Sequence, residues 1–381
     1  MIYSEIFNGR FFSKIHAAFL LIRTFFTHSK AHTDPVKVDD YLYEISFRTF
    51  DFDRLSSIAD HIFRKKGGEP SASCSAVRKD TLLGRNFDWA YDEMPDFIIR
   101  AEASPERFAS IGIASPIGIF EEKQVDRLLG KLLLNMLPVF TVDGINEKGV
   151  ACCVNVVPPG DCGYTLNTNP AGKPLCAPVI VRYVLDKAGS AKEAIELLKD
   201  RNIYTTLIGK LQSEYHFMIS DSVDNYVVEF VDNRMVVLEG EKIMTNFHLA
   251  RPDTPHGMGH ERYDIIRAGY DSVCGIEDMT NLMKSVWYSG AYDESRNPLW
   301  LSDLCNPMEH KDFTFQDISD NPEKFMEVFK KKVEKFKNRS RDAETLEETV
   351  CHSVHTSIYD IRNKVLVIST QESGRNHTRP L

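Results

Sequence analysis

From Cys74 onward the chain is cut into short apolar runs that come in pairs, each pair joined by a polar turn. CSAVRKDTLLGRNFDW breaks at Lys79 and Asp80, and PDFIIRAE is followed at once by RFASIGIA. TVDGINEKGVACCVNVV turns at its Asn/Gly segment, and EYHFMISDSVDNYVVEFVDNRMVVLEG holds three runs with turns at Asp221–Asn225 and Asp232–Arg234. SVHTSIYDIRNKVLVIST closes the series. Runs of this length bounded by turn residues are strands joined as hairpins. Helical periodicity falls in separate blocks, at Glu122 to Leu134, Pro178 to Asp200 and His260 to Tyr288. A lysine-rich amphipathic helix, its charge on a solvated face, is expected over Glu323 to Lys337. Strands grouped with strands and helices with helices exclude alternating βαβ units and predict a layered α+β fold.

The region before Cys74 has another texture. It reads as a helix, an extended piece from Asp39 to Phe50 and a helix ending near Lys66, followed by the loop GGEPSAS from Gly67 to Ser73. This divides the chain into a segment 1–73 and a domain 74–381. In the extended piece, YLYEISF alternates apolar residues and is suited to packing on the body.

Composition narrows the function. With 43% hydrophobic and 27% charged residues the chain is ordinary globular material, and 381 residues suffice for a core without disulfide or metal staples. A net charge of -9 disfavours nucleic acid as a partner. None of the eight cysteines forms a CxxC pair, so no metal site is expected, and the adjacent Cys152 and Cys153 read as small buried hydrophobes. No GxGxxG follows a strand and no GxxxxGK[ST] occurs, so no cofactor is expected. The apolar stretch from Ile15 to Phe26 is shorter than the ~20 residues of a membrane span and is interrupted by Arg23. It reads as an amphipathic helix, with a secretory signal as the alternative, and the cysteine usage favours a cytoplasmic protein. Homo-oligomerisation stays open.

Cys74 begins a strand after a loop suited to cleavage, and Arg85, Asn86 and Asp88 follow as polar groups inside an otherwise apolar strand pair. Buried Arg and Asp are costly unless paired or used. Two readings of these residues stand: an Arg–Asp pair that pins the hairpin, or a charged cluster that tunes a thiol.

CSAVRKDTLLGRNFDW closely resembles the start of the mature chain in the choloylglycine hydrolase family, the linear-amide C–N hydrolases with an N-terminal nucleophile. Conjugated bile salt hydrolases and penicillin V acylases are members, and acid ceramidase and N-acylethanolamine amidase look like relatives. VDGINEKGVACCVNVV is similar to the family's DGxNEKG turn and next strand, IMTNF to its (L/M)TN segment, GMGHERYDIIR to an arginine-bearing segment, and VHTSIYDIRNKVLVISTQE to its closing hairpin. The resemblance implies a four-layered αββα sandwich. It further implies that Cys74 attacks an amide carbonyl to give a thioester that water hydrolyses, with the Cys74 α-amine as base. An α-amine titrates near neutrality, at roughly 7.7–8.0, whereas a lysine amine, near roughly 10.4, would stay protonated. By the same resemblance Arg85 favours the thiolate and Asp88 orients the α-ammonium. The backbone N–H of Asn155 and the side-chain amide of Asn246 would form the oxyanion hole, and Arg262 would complete the polar network.

One departure matters: many bacterial members carry the cysteine directly after the initiator Met, and here 73 residues precede it. Activity then requires cleavage of Ser73–Cys74, which relatives such as acid ceramidase achieve by self-cleavage, and residues 1–73 are expected to remain as a small subunit. Two alternatives remain: an acyltransferase passing the acyl group to an amine, or an unprocessed binding protein of the same fold. His216 and His355 are expected to be structural, hydrogen-bonded histidines, and His248, His256 and His260 no metal cluster. Glu229 and Asp221 are expected in solvated or capping roles, and Trp89 and Tyr91 either in the core or lining a substrate site. The segments Met94 to Pro105, Pro158 to Pro178 and Leu249 to Met258 would set specificity without naming the substrate.

Overall fold

The computed structural model describes residues 31–63, 74–89, 95–116, 122, 125, 128–157, 168–204, 207–208, 211–212, 214–251, 257–287, 352–370 and 373–381. The expectations for Ile15 to Phe26, the loop 67–73, Tyr91, His256 and the lysine-rich stretch 323–337 lie outside the described residues.

The paired runs assemble into two large sheets. Nine strands stand in the order Val36–Asp39, Leu42–Phe47, Asp96–Ala101, Ser110–Ala114, Thr141–Asn146, Ala151–Val157, Glu214–Ser220, Asn225–Val231 and Arg234–Glu239. Six more stand in the order Ile243–Met244, Ser75–Lys79, Leu82–Trp89, His352–Asp360, Val365–Thr370 and His377–Pro380. Every expected hairpin forms, including the turn at Asp80, whose φ of 50° places it in the left-handed region.

Successive strand residues face opposite sides of a sheet, and here both sides are apolar. In the nine-stranded sheet Ile98, Ile111, Ile145, Cys153, Met218 and Val227 face Ala76, Leu83, Phe87 and Tyr359 of the other sheet. Their neighbours Phe97, Ile99, Cys152, Phe217 and Val228 face away, against the helices Ile180–Lys187 and Ala191–Lys199. The outer side of the six-stranded sheet, with Val77, Leu82, Ile358 and Val367, packs on Ile266, Met279 and Met283 of the helices His260–Gly269 and Ile276–Ser285. The layers run helix, sheet, sheet, helix: an α+β sandwich of the αββα type.

Two expectations need correction. The single helix read over Pro178 to Asp200 is two, Ile180–Lys187 and Ala191–Lys199. Gly189 and Ser190 part them, and the Ser190 hydroxyl caps the second by accepting from the Glu193 N–H at 3.1 Å. The block His260 to Tyr288 likewise divides at 270–275. Two pairings went unread: Lys173–Cys176 runs parallel to Arg201–Tyr204, and His377–Pro380 adds to the edge of the six-stranded sheet.

The described residues ahead of Cys74 are part of the body. Val36–Asp39 and Leu42–Phe47 form the edge of the nine-stranded sheet, and Leu42–Phe47 runs parallel to Asp96–Ala101. Leu42 enters the core between the sheets, and Ile45 and Phe47 enter the outer core with Leu55 and Ile58 of the helix Phe52–Phe63. Ion pairs tie this edge to residues 373–379. Glu44 binds Arg100 at 2.7 Å and Arg379 at 2.8 Å, and Asp39 binds Arg375 at 2.6 Å and His377 at 2.7 Å. Burial opposes the charge of Asp39, yet hydrogen bonds from Ser373 and His377 hold its carboxyl well below the usual range.

Gly112 and Gly144 stand directly opposite each other on neighbouring strands. A Cβ at Gly112 would lie 2.4 Å from the Asp143 carbonyl oxygen and 3.0 Å from the Gly144 Cα. Backbone cannot yield as a side chain can, so Gly112→Ala is expected to lower unfolding free energy by about 1–3 kcal/mol, read as a lower urea midpoint at unchanged slope.

Candidate functional site

Pairing of Ser75 with Asn86 places Cys74, one residue earlier, beside Phe87 and next to Asp88. Met244 pairs with Ala76 on the other side, so Asn246, two residues beyond, comes up to the Cys74 end of the same strand. Cys74 is 1% exposed, and its Sγ lies 3.9 Å from Arg85 Nη2 and 4.0 Å from the Asp88 carbonyl oxygen.

Arg85 shares the parity of Leu83 and Phe87 and therefore points into the layer between the sheets. It is fully buried. Its Nη1 binds Asp143 Oδ2 of the facing sheet at 3.0 Å, its Nη2 donates to the Val154 carbonyl at 2.6 Å, and its plane lies over the Phe87 ring. Asp143 also accepts from the Tyr359 hydroxyl and from His355 Nε2, the latter at 3.3 Å. Burial opposes the charge of Asp143, but the His355 hydrogen bond and the Arg85 guanidinium hold its carboxyl below the usual range. The other ring nitrogen of His355 binds Asp96. Burial disfavours a charged imidazole, and the two carboxylates outweigh it, raising His355 to about 9.

The cysteines nearest this network differ from Cys74. Burial pushes Cys153 up to about 12 and Cys152 well above its ordinary value, so both remain thiols at neutral pH. This agrees with their reading as small buried hydrophobes. Among the described cysteines, Cys74, Cys152, Cys153 and Cys176 are buried and Cys274 is exposed.

Asp88 does not pair with Arg85. Three positions apart on a strand, the two side chains leave opposite faces, and each finds its own partner. Arg262, on the helix Gly259 precedes, binds Asp88 Oδ2. Complete burial pushes the Asp88 carboxyl up, and the Arg262 guanidinium, with Ser353 and Arg85, offsets part of that rise.

Asn155 and Asn246 are stitched together through backbone. Asn155 Nδ2 donates to the Thr245 carbonyl at 3.0 Å, and Asn246 Nδ2 donates to the Val156 carbonyl at 2.6 Å. A side-chain amide carries two donor hydrogens, so one on Asn246 is spent on this bond and one is left for other use. Behind them lies Glu229, which is fully buried rather than solvated, correcting the expectation drawn from its strand position. It accepts from the N–H groups of Leu249 and Ala250, both at 2.9 Å, and binds His216 at 3.2 Å. His216 also meets the Thr245 carbonyl at 2.6 Å. Burial works against the Glu229 charge, and His216 and His248 hold it well below the usual range. Asp221 is a cap, accepting from Val223, Asp224 and Ala191 N–H groups. Trp89 is buried and stacks on Phe87, and His260 stacks on Phe247.

The structure thus brings Cys74 and Arg85 together, joins Asp88 to Arg262 beside them, and fastens the Asn155 strand to the Asn246 segment. Sequence reading missed Asp96, Asp143 and Tyr359. The signal for Asp143 was present, an acid inside the apolar run TVDGI, but its partners lie 58, 212 and 216 residues away. Chemically, a thiol beside a fixed guanidinium and an ion-paired carboxyl is equipped for nucleophilic attack.

Residues 73–248 match the model of the linear amide C–N hydrolases, choloylglycine hydrolase family. This agrees with the resemblance read from the sequence. The match begins one residue before Cys74 and includes Arg85, Asp88, Asn155 and Asn246, while Arg262 lies past its end. Among solved structures, a cysteine-to-alanine mutant of conjugated bile acid hydrolase from Clostridium perfringens is 15% identical, covering 81% of this chain and 92% of that one, with a TM-score of 0.42. Penicillin V acylase from Agrobacterium tumefaciens is also 15% identical, covering 81% of this chain and 86% of that one, with a TM-score of 0.38. No curated protein matches the chain. Among the described residues no helix is long and apolar enough to cross a membrane.

Removing one partner of a buried ion pair leaves the other charge stranded, at a cost of about 3–5 kcal/mol. Arg262→Ala is expected to lose stability in that range by denaturant unfolding. Asp88→Asn combined with Arg262→Ala should recover part of the loss, whereas strictly additive effects would mean the pair is not coupled.

Proposed function

We propose that this chain, whose residues 73–248 carry the choloylglycine hydrolase signature, hydrolyses linear non-peptide amides with Cys74 as an N-terminal nucleophile. The observation that carries the reading is the guanidinium of Arg85 at 3.9 Å from the Cys74 sulfur, deep between two sheets. A buried cation there stabilises thiolate over thiol. The family match supports amide hydrolysis as the reaction class.

In this reading the Ser73–Cys74 bond is first cut, freeing the Cys74 α-amine. Ser73 lies outside the described residues. The amine then accepts the thiol proton, and the sulfur attacks the amide carbonyl carbon. As the C–N bond breaks, the protonated amine returns that proton to the leaving nitrogen. Water, activated by the same amine, adds to the thioester and releases the acid. The carbonyl oxygen carries negative charge in both additions, and the Asn155 N–H with the second hydrogen of the Asn246 amide would receive it. Asp88, fixed by Arg262, would hold the α-ammonium in line.

Residues 1–73 form a small subunit in this scheme, and 74–381 the hydrolase domain. Support for retention after cleavage comes from the parallel pairing of Leu42–Phe47 with Asp96–Ala101 and from the ion pairs of Asp39 and Glu44. The substrate in this reading is a small-molecule acyl amide.

Intact mass and N-terminal sequencing of the purified protein test the proposal, with Cys74→Ala alongside. Two co-eluting fragments, the larger beginning CSAV, are expected for the wild type, with a single chain for the variant. The processed protein should then release acid and amine from a panel of acyl amides. Accumulation of acyl hydroxamate in place of acid when hydroxylamine is present at low concentration would point to an acyltransferase. An uncleaved chain that is inactive would make the molecule a binding protein of the same fold.

A further inference from the structure

Behind the thiol lies a row of buried charges that alternates in sign. Cys74 Sγ meets Arg85, Arg85 meets Asp143, Asp143 meets His355, and His355 meets Asp96. Ser115 donates to the far oxygen of Asp96. Each of these residues is at most 1% exposed, and they come from both sheets. Nothing in the proposed reaction uses His355 or Asp96.

We infer that His355, held by Asp96, is a positioning residue for the nucleophile: as a buried cation it shares the Asp143 carboxylate and so leaves Arg85 with charge to spare for the Cys74 sulfur. This rests on Cys74 being the reactive group. The geometry argues it directly. Asp143 Oδ2 is contacted by Arg85 Nη1 at 3.0 Å and by His355 Nε2 at 3.3 Å, while Oδ1 is taken by the Tyr359 hydroxyl. A ring whose two nitrogens both face carboxylate oxygens can donate to both only as the protonated imidazole. Without that charge, Asp143 would be paired with Arg85 alone, and a fully neutralised guanidinium holds thiolate poorly.

Two carboxylates of the facing sheet meet the ring. Asp96 reaches it from the strand Asp96–Ala101 and Asp143 from Thr141–Asn146. From Leu82–Trp89 it is met by the stacked Phe87 ring, with Arg85 acting through Asp143. On its own strand Tyr359 acts through Asp143 as well, and Thr370 lies across from it on Val365–Thr370. Because its value is raised to about 9, the ring stays charged at neutral pH and loses its proton only in alkaline solution.

The test measures the thiol itself, without a substrate. The whole protein is treated with iodoacetamide across a pH series, and modification is quantified on the Cys74-bearing peptide, with exposed Cys274 in the same sample as reference. In the wild type Cys74 should become reactive at lower pH than Cys274. His355→Gln should move the Cys74 profile up by about one unit, a roughly tenfold loss of thiolate at neutral pH, while Cys274 is unmoved. His355→Lys, which restores a cation, should return the profile toward the wild type. A His355→Gln profile that superimposes on the wild type overturns the inference, as does a wild-type Cys74 that never reacts. Should the variants fail to fold, ring-nitrogen NMR of histidine-labelled wild type decides: both His355 nitrogens protonated at neutral pH supports the inference, and a neutral ring overturns it. Amide hydrolysis with an unmoved profile would sink only the role of His355, whereas a shifted profile without hydrolysis would sink only the amidase reading.

Discussion

A guanidinium with no access to water must be neutralised by whatever faces it, and Arg85 sits where two sheets meet. Its partner Asp143 belongs to the opposite sheet, so the pair fixes how one sheet lies on the other. Hydrophobic contact between the sheets supplies the driving force but little direction, since Ile, Leu and Met side chains tolerate sliding. A buried ion pair adds little net stability against an apolar replacement, yet it penalises any arrangement that separates the charges. The apolar layer therefore makes the sandwich form, and the polar row within it makes the sheets meet at one place. That place is also where the thiol lies.

Much of this organisation was legible in the residues, and the limits have physical causes. Hairpins such as Ser75–Lys79 with Leu82–Trp89 are local, so turn residues and alternation suffice to read them. Cys74, Arg85 and Asp88 fall within 15 residues, and their clustering could be seen. What could not be seen were contacts made at a distance. An Arg85–Asp88 pair was one of two readings because the residues are neighbours in the chain, while strand alternation sends them to opposite faces. Glu229 looked like a solvated strand residue because its ligands, the N–H groups of Leu249 and Ala250, are backbone and leave no mark in the sequence. Periodicity carried across Gly189 and Ser190 hid the break between two helices, although both are residues that stop and start helices.

The charges of the site divide its labour. Arg85 is aimed at sulfur, and Arg262 is aimed at the Asp88 carboxyl on the other face of the same strand. Two cations of identical chemistry thus serve different parts of one residue, its side chain and its main chain, in the reading developed above. Glu229 and His216 act further back, bracing the stretch 245–250 that carries Asn246. Polar groups this deep are expensive unless satisfied, and here nearly every bond runs between segments remote in sequence.

The edge hairpin carries a consequence for the order of assembly. Asp39 is clamped by Ser373, Arg375 and His377, more than 330 positions later in the chain. During synthesis Asp39 leaves the ribosome long before its clamp has been made, and the hairpin has to wait at an incomplete edge. The hairpin 36–47 is therefore made early and locked late. Any event that depends on that edge being seated is deferred until residues 373–377 exist.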